Sequence, residues 1–295
     1  MRTFPLALAA LAAAFAFGTA QAATVQKQVA AEPRGEVDVS NVAGRIEITG
    51  WDKPQVAATA DVEGDSQQLE VTSEAGRTSV KITGGSGHWF GGGVRLQVNV
   101  PRASEVNASS VSAEITSRSV AGAQNLHTVS GGIDAELGSG NNEVKTVSGA
   151  IHLKGGGGSG SLHLTTVSGE VGIANLAGDL EATTTSGRLD AQLASTRSVR
   201  LHTTSGEIEL NARLERGGTI ETETLSGGQR IAASAAGGYQ FEVRTFSGDI
   251  DDCFGQHSER TSEYGPGKRL DGTRGGGDGR VRIKSLSGNV SLCDH

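Results

Sequence analysis

LHTVSGGIDAEL, residues 126–137, is followed by VKTVSGAIHLKG at 144–155 and LTTVSGEVGIAN at 164–175. Aligned on Ser-Gly, the chain holds eight such copies, with serines at 130, 148, 168, 186, 205, 226, 247 and 287. A degenerate copy, SSVSAEI, sits upstream around Ser112. Successive serines lie 18 to 21 residues apart, except for one gap of 40 before Ser287. A period near 19 sustained over this length marks a repeat architecture.

The aligned columns carry physical information. Four residues before each serine the chain is mostly apolar, as at Leu126, Val144, Leu164, Leu201 and Ile283. A polar residue follows, then a hydroxyl in every copy, from Thr128 to Ser285. After Ser-Gly and one variable residue, Ile133, Ile151, Val171, Leu189 and Ile208 alternate with Asp134, His152, Gly172, Asp190 and Glu209. Alternation with period two means strands with one buried face. Two strands therefore flank each Ser-Gly, and the glycine suits a crowded corner. The valine of T-V-S-G is expected to pack at the bend. Thr128 shares parity with Leu126, so the hydroxyl column is expected to point inward.

One such unit cannot bury its thin apolar face alone, whereas stacked units share a core. The expected fold is all-β: a β-solenoid (β-helix-like) of about 19-residue two-strand rungs with an irregular N-terminal β cap. Eight rungs at ~4.8 Å would form a rod of roughly 40 Å. A β-sandwich of hairpins predicts no such column identity. Gly, Thr and Val are poor helix fillers, and no 3.6-residue period follows the N-terminus.

Three segments organise the chain: 1–22 as a signal peptide, 23–100 as a cap, and 101–295 as repeats with an insertion at about 254–285. Arg2, the apolar run from Leu6 to Gly18 and the Ala20-Gln21-Ala22 site read as a secretory signal. The apolar run is too short to span a bilayer. A soluble product cleaved near Ala22 is expected in the periplasm, at the cell surface or outside the cell. Its formal charge falls from −7 to −8 as Arg2 leaves. An acidic chain with no cluster of Lys and Arg along its sequence is expected to bind nucleic acid or anionic membranes poorly.

Iterated T-x-S-G-x-[IV] units, ITGWD at 48–52 and VNVP at 98–101 give the chain a recognisable pattern. It resembles the DUF4097 family of β-strand-repeat proteins, also called putative adhesins. The resemblance spans nearly all of the mature chain. It implies an exported solenoid-like protein with a surface or envelope role, and brings no catalytic motif with it.

Candidate sites lie where the repeats break. GGSGHWFGGG, 84–93, sets His88, Trp89 and Phe90 between glycines. They form either a ligand-contact tip that stacks on sugars or a hairpin tip that plugs the rod. Cys253 and Cys293 each fall six residues after a repeat serine, so they share a column. A disulfide is expected if the insertion loops out without completing a rung. Closing that 41-residue loop would contribute roughly 4 kcal/mol and clamp a C-terminal rung with one neighbour. Asp249, Asp251 and Asp252 fit no calcium spacing, and the seven histidines fit no metal-ligand spacing. No catalytic, cofactor or metal residues are expected. β-Helix lyases and hydrolases cluster Asp, Arg or Lys on one outer face. Here Asp134, Asp190, Glu209 and Asp251 alternate with His, Gly and Arg. The readings are an adhesin-like binding or structural module, whose partner would be a surface glycan or an envelope protein, a carbohydrate-active β-helix enzyme, or a periplasmic accessory protein of envelope stress signalling.

Overall fold

The fold follows from like side chains stacking on like. In the computed structural model, which describes residues 22–63, 67–84, 93–262 and 265–294, every helix or strand among the described residues is a strand. The chain is a β-solenoid. Its tip residues His88, Trp89 and Phe90, and residues 1–21, lie outside the described residues.

Each rung is one strand before Ser-Gly and one after it, such as Asn141–Ser148 and Ile151–Gly155. The next rung starts with Ser159–Ser168 and passes into Val171–Ser226, an extended run of 56 residues that winds on past Ser186 and Ser205. Pre-corner strands stack in parallel, with Val144 over Leu164 over Ala182 and Thr146 over Thr166 over Thr184. Post-corner strands do the same, with Ile133, Ile151 and Val171 in one column. The inner faces of the two sheets meet: the Thr222 hydroxyl donates to Gln229 Oε1 at 2.6 Å, and Gln229 Nε2 donates to the Lys284 carbonyl at 2.8 Å.

The core is one cluster of Val, Ile, Leu and Ala, joined by Tyr239 and Phe241 at the C-terminal end, running the length of the rod. Small and branched aliphatic side chains fill nearly all of it, which is how a chain with 4% aromatic residues folds. Fully burying an aliphatic side chain contributes about 1.5–3 kcal/mol. A single rung holds few of them, so stability comes from neighbours.

At both ends the order of stacking departs from the order of the chain. Glu36–Asn41 and Gly44–Trp51 form a rung beneath Glu105–Ser110 and Glu114–Arg118. Its other side receives Arg77–Gly84 and Val94–Pro101. Antiparallel strands then cover that outer rung: Gln67–Glu74 on one sheet, and Gln55–Glu63 followed by Ala22–Ala30 on the other.

The C-terminal end repeats the device. Gly279–Ser287 inserts between the strand ending at Ser226 and Tyr239–Ser247. Lys268–Arg274 lies antiparallel on the free edge of Tyr239–Ser247. The last rung in sequence thus has two neighbours, contrary to the expectation of one, because the chain leaves at Cys253 and doubles back. Antiparallel covers at both ends blunt edges that would otherwise template further pairing. Cys253 and Cys293 meet across this reversed pair, joined by a disulfide with 5.0 Å between their Cα atoms.

Candidate interaction surface

The corner of each rung sorts its four residues by direction. The threonine points in: Thr128, Thr146, Thr166, Thr184, Thr203, Thr224 and Thr245 are all buried. Thr128 Oγ1 accepts the Gly131 N–H at 3.0 Å. The Thr146, Thr203, Thr224 and Ser285 hydroxyls are buried with no partner, so methyl packing rather than hydrogen bonding explains the three threonines. The serine points out, and Ser130 donates its hydroxyl to the Val111 carbonyl of the rung before it at 3.3 Å.

The valine is exposed, which corrects the expectation that it packs at the bend. Period two decides this: once Thr128 faces in, Val129 must face out. Val42, Val111, Val129, Val147 and Val167 form a file of exposed aliphatic side chains, the last three each 47% exposed. Backbone bonds hold the file together, with Ser112 N–H donating to Val42 O at 2.9 Å, Ser130 N–H to Val111 O at 2.9 Å and Ser148 N–H to Val129 O at 2.8 Å. The corresponding residues of the next two rungs are Thr185 and Thr204. The file ends in larger side chains: Leu225, Leu286 and, on the outer rung, Phe246 at 58% exposure. Composition alone hid this ridge, since apolar letters read as core. The parity of the preceding threonine was the signal that could have found it.

Beside the large end of the ridge lies a basic sheet. Arg244, Arg269, Arg280, Arg282 and Lys284, with Lys268 at the edge, stand against Glu242 and Asp271 of the same strands and Glu221 and Glu223 of the strand beside them, a formal charge of +2. No such cluster is visible along the sequence. Strands distant in sequence assemble it, through the reversed stacking and the antiparallel cover. Glu242 sits among Arg244, Arg269 and Arg282, the latter two at 3.7 and 3.5 Å. Burial pushes its carboxyl up, but these guanidiniums, Arg244 foremost, hold it below the usual carboxylate range. Arg269 also pairs with Asp271 at 2.9 Å, and Lys268 with Asp249. Arg280 and Lys284 make no ion pair among the described residues. Leu225, Leu286, Phe246, Arg244, Lys268 and Lys284 share one recess of about 480 Å³.

The end of the rod is tied together by a second polar cluster. The Tyr239 hydroxyl donates to Asp294 Oδ1 at 2.7 Å, and Arg274 Nε donates to Asp294 Oδ2 at 3.1 Å. Burial and the Asp294 carboxylate push the Tyr239 phenol well above its ordinary range. Asp252 Oδ1 accepts the N–H groups of Phe254 and Gln256 at 2.9 and 3.1 Å, which turns the chain out into the insertion.

On the other sheet an open groove of about 520 Å³ runs past Asp134, His152 and Asp190. Gly172 forms its floor, where a Cβ would meet nothing nearer than His152 Cδ2 at 3.6 Å. Among the described residues no group of three His, Cys, Asp or Glu is placed to hold a metal ion. No described helix is long and apolar enough to cross a membrane.

The model of the Toastrack DUF4097 family matches residues 31–293. No curated protein matches the sequence. Among solved structures, a putative adhesin from Parabacteroides merdae is 12% identical, with 91% of this chain and 95% of that chain covered at a TM-score of 0.34. A putative adhesin from Bacteroides fragilis is 8% identical, with 92% and 97% covered at 0.35. A putative lipid binding protein from Parabacteroides distasonis is 13% identical, with 90% and 96% covered at 0.35.

Proposed function

Because the chain belongs to the DUF4097 Toastrack family, we propose that it is an exported, non-enzymatic, adhesin-like binding or structural module of the cell envelope. One observation carries this reading: a file of exposed apolar side chains, interrupted at Thr185 and Thr204, runs along a rod whose core is otherwise well closed. Contiguous exposed apolar surface marks contact sites. The disulfide supports folding in an oxidising compartment. In this reading residues 1–22 are removed on export, 23–100 serve as the N-terminal cap, and 101–295 present the repeated faces. Fractionation of cells expressing the chain tests export, with the mature protein expected in the periplasmic, surface or secreted fraction. Recovery of uncleaved protein in the cytoplasm would contradict it.

The groove past Asp134, His152 and Asp190 favours a second reading, a carbohydrate-active enzyme. Incubation with acidic and neutral polysaccharides decides between the two. No release of reducing ends is expected. Release that disappears in Asp190→Asn would replace the binding module with the enzyme.

A further inference from the structure

We infer that the C-terminal end of the rod docks on the surface of an anionic lipid bilayer. This rests on reading the chain as an exported binding module, and names what that module touches. Phe246 and Leu286 stand on adjacent rungs at the exposed corner, followed by Leu225. Each is preceded, two residues earlier, by an outward polar side chain: Arg244 before Phe246, Lys284 before Leu286 and Glu223 before Leu225. Arg282 and Arg280 lie two and four residues further back along the same outward row as Lys284. Two residues of strand span ~6.6 Å. Cations therefore begin about 7 Å behind the apolar ridge, which matches the ~5–10 Å by which interfacial apolar groups enter the headgroup layer.

The charge is local: the outward rows beside the ridge carry +2, counting Arg244, Lys268, Arg269, Arg280, Arg282 and Lys284 against Glu221, Glu223, Glu242 and Asp271, in a chain of net charge −7. Arg280 and Lys284 reach solvent without an ion-pair partner among the described residues. An acidic polysaccharide would match the charge but leave Phe246 and Leu286 unused.

Co-sedimentation of the mature chain with vesicles tests the proposal, using phosphatidylcholine alone and phosphatidylcholine mixed with phosphatidylglycerol, at low and high salt. Binding is expected to the mixed vesicles only and to weaken with salt. Arg280→Glu with Lys284→Glu should weaken it by at least about tenfold, from ~1 kcal/mol per basic residue near an anionic surface. Phe246→Ser with Leu286→Ser should also weaken vesicle binding, while leaving binding to heparin, a polyanion without acyl chains, unchanged. All four positions are exposed, so thermal unfolding should match the parent chain.

Three results would overturn the proposal: equal binding to both vesicle types, ridge variants that bind vesicles as well as the parent, or light scattering in which Phe246 and Leu286 hold a dimer. Each leaves the export result untouched, so failure here is distinguishable from failure of the broader reading.

Discussion

Gly187 shows what the repeat demands of one residue. A Cβ there would stand 2.0 Å from the Gly169 carbonyl oxygen, and its φ is +135°. The same collision recurs from Gly149 against Gly131 to Gly288 against Gly227. The corner glycine is set by the distance between rungs as much as by the turn itself. Gly187→Ala is expected to cost about 2 kcal/mol or more in urea unfolding. Gly172→Ala, where space is open, should stay within about 0.5 kcal/mol. Equal costs would mean that the rungs do not approach this closely. The Ser-Gly identity was legible at this scale because every rung imposes the same demand at the same column. The direction of Val129 was legible too, through its parity with Thr128, though its apolar character argued the other way.

Within the C-terminal elements, covalent and ionic links hold the reversed pair of rungs. Removing the disulfide with Cys253→Ser and Cys293→Ser should cost about 2–4 kcal/mol. Hydrogen exchange should speed up in Tyr239–Ser247 and Ile250–Asp252 and stay unchanged in Asn141–Ser148. A uniform rise along the rod would mean that the bond stabilises the chain globally instead.

Asp294 adds a pH dependence to the same end. Burial alone would raise its carboxyl. Hydrogen bonds from Arg274 and Tyr239 outweigh this and hold it below its ordinary value near 3.8. A depressed carboxyl stabilises the fold above that value, and the contribution is lost as the pH falls through the folded pKa. Acid should therefore loosen the last strand, and Asp294→Asn should flatten that dependence. An unchanged acid profile in the variant would remove Asp294 from the account.

The pairing of Cys253 with Cys293 was legible as a shared column, because both follow a repeat serine at one offset. The Tyr239–Asp294–Arg274 cluster was not, since its members come from three strands with no common spacing.

Across the whole molecule, the stacking order was the feature the repeats could not disclose. Every rung offers the same columns, so any rung fits on any other. The 40-residue gap before Ser287 signalled an interruption without saying where the chain would return. The inverted order matters for function, because it brings Arg244, Lys268 and Lys284 from three separated strands to the recess that carries Leu225, Leu286 and Phe246.

Paired cysteines at the corner serines read that order directly, since these serines are exposed and in register: Ser226 faces Ser287, and Ser287 faces Ser247. Neighbouring parallel strands at ~4.8 Å fall within disulfide reach, whereas two rungs at ~9.6 Å do not. Under mild oxidation, with the bonds mapped by mass spectrometry, Ser226→Cys with Ser287→Cys is predicted to crosslink and Ser226→Cys with Ser247→Cys to stay reduced. The opposite pattern would put the rungs in sequence order and contradict the reversed end on which the basic surface depends.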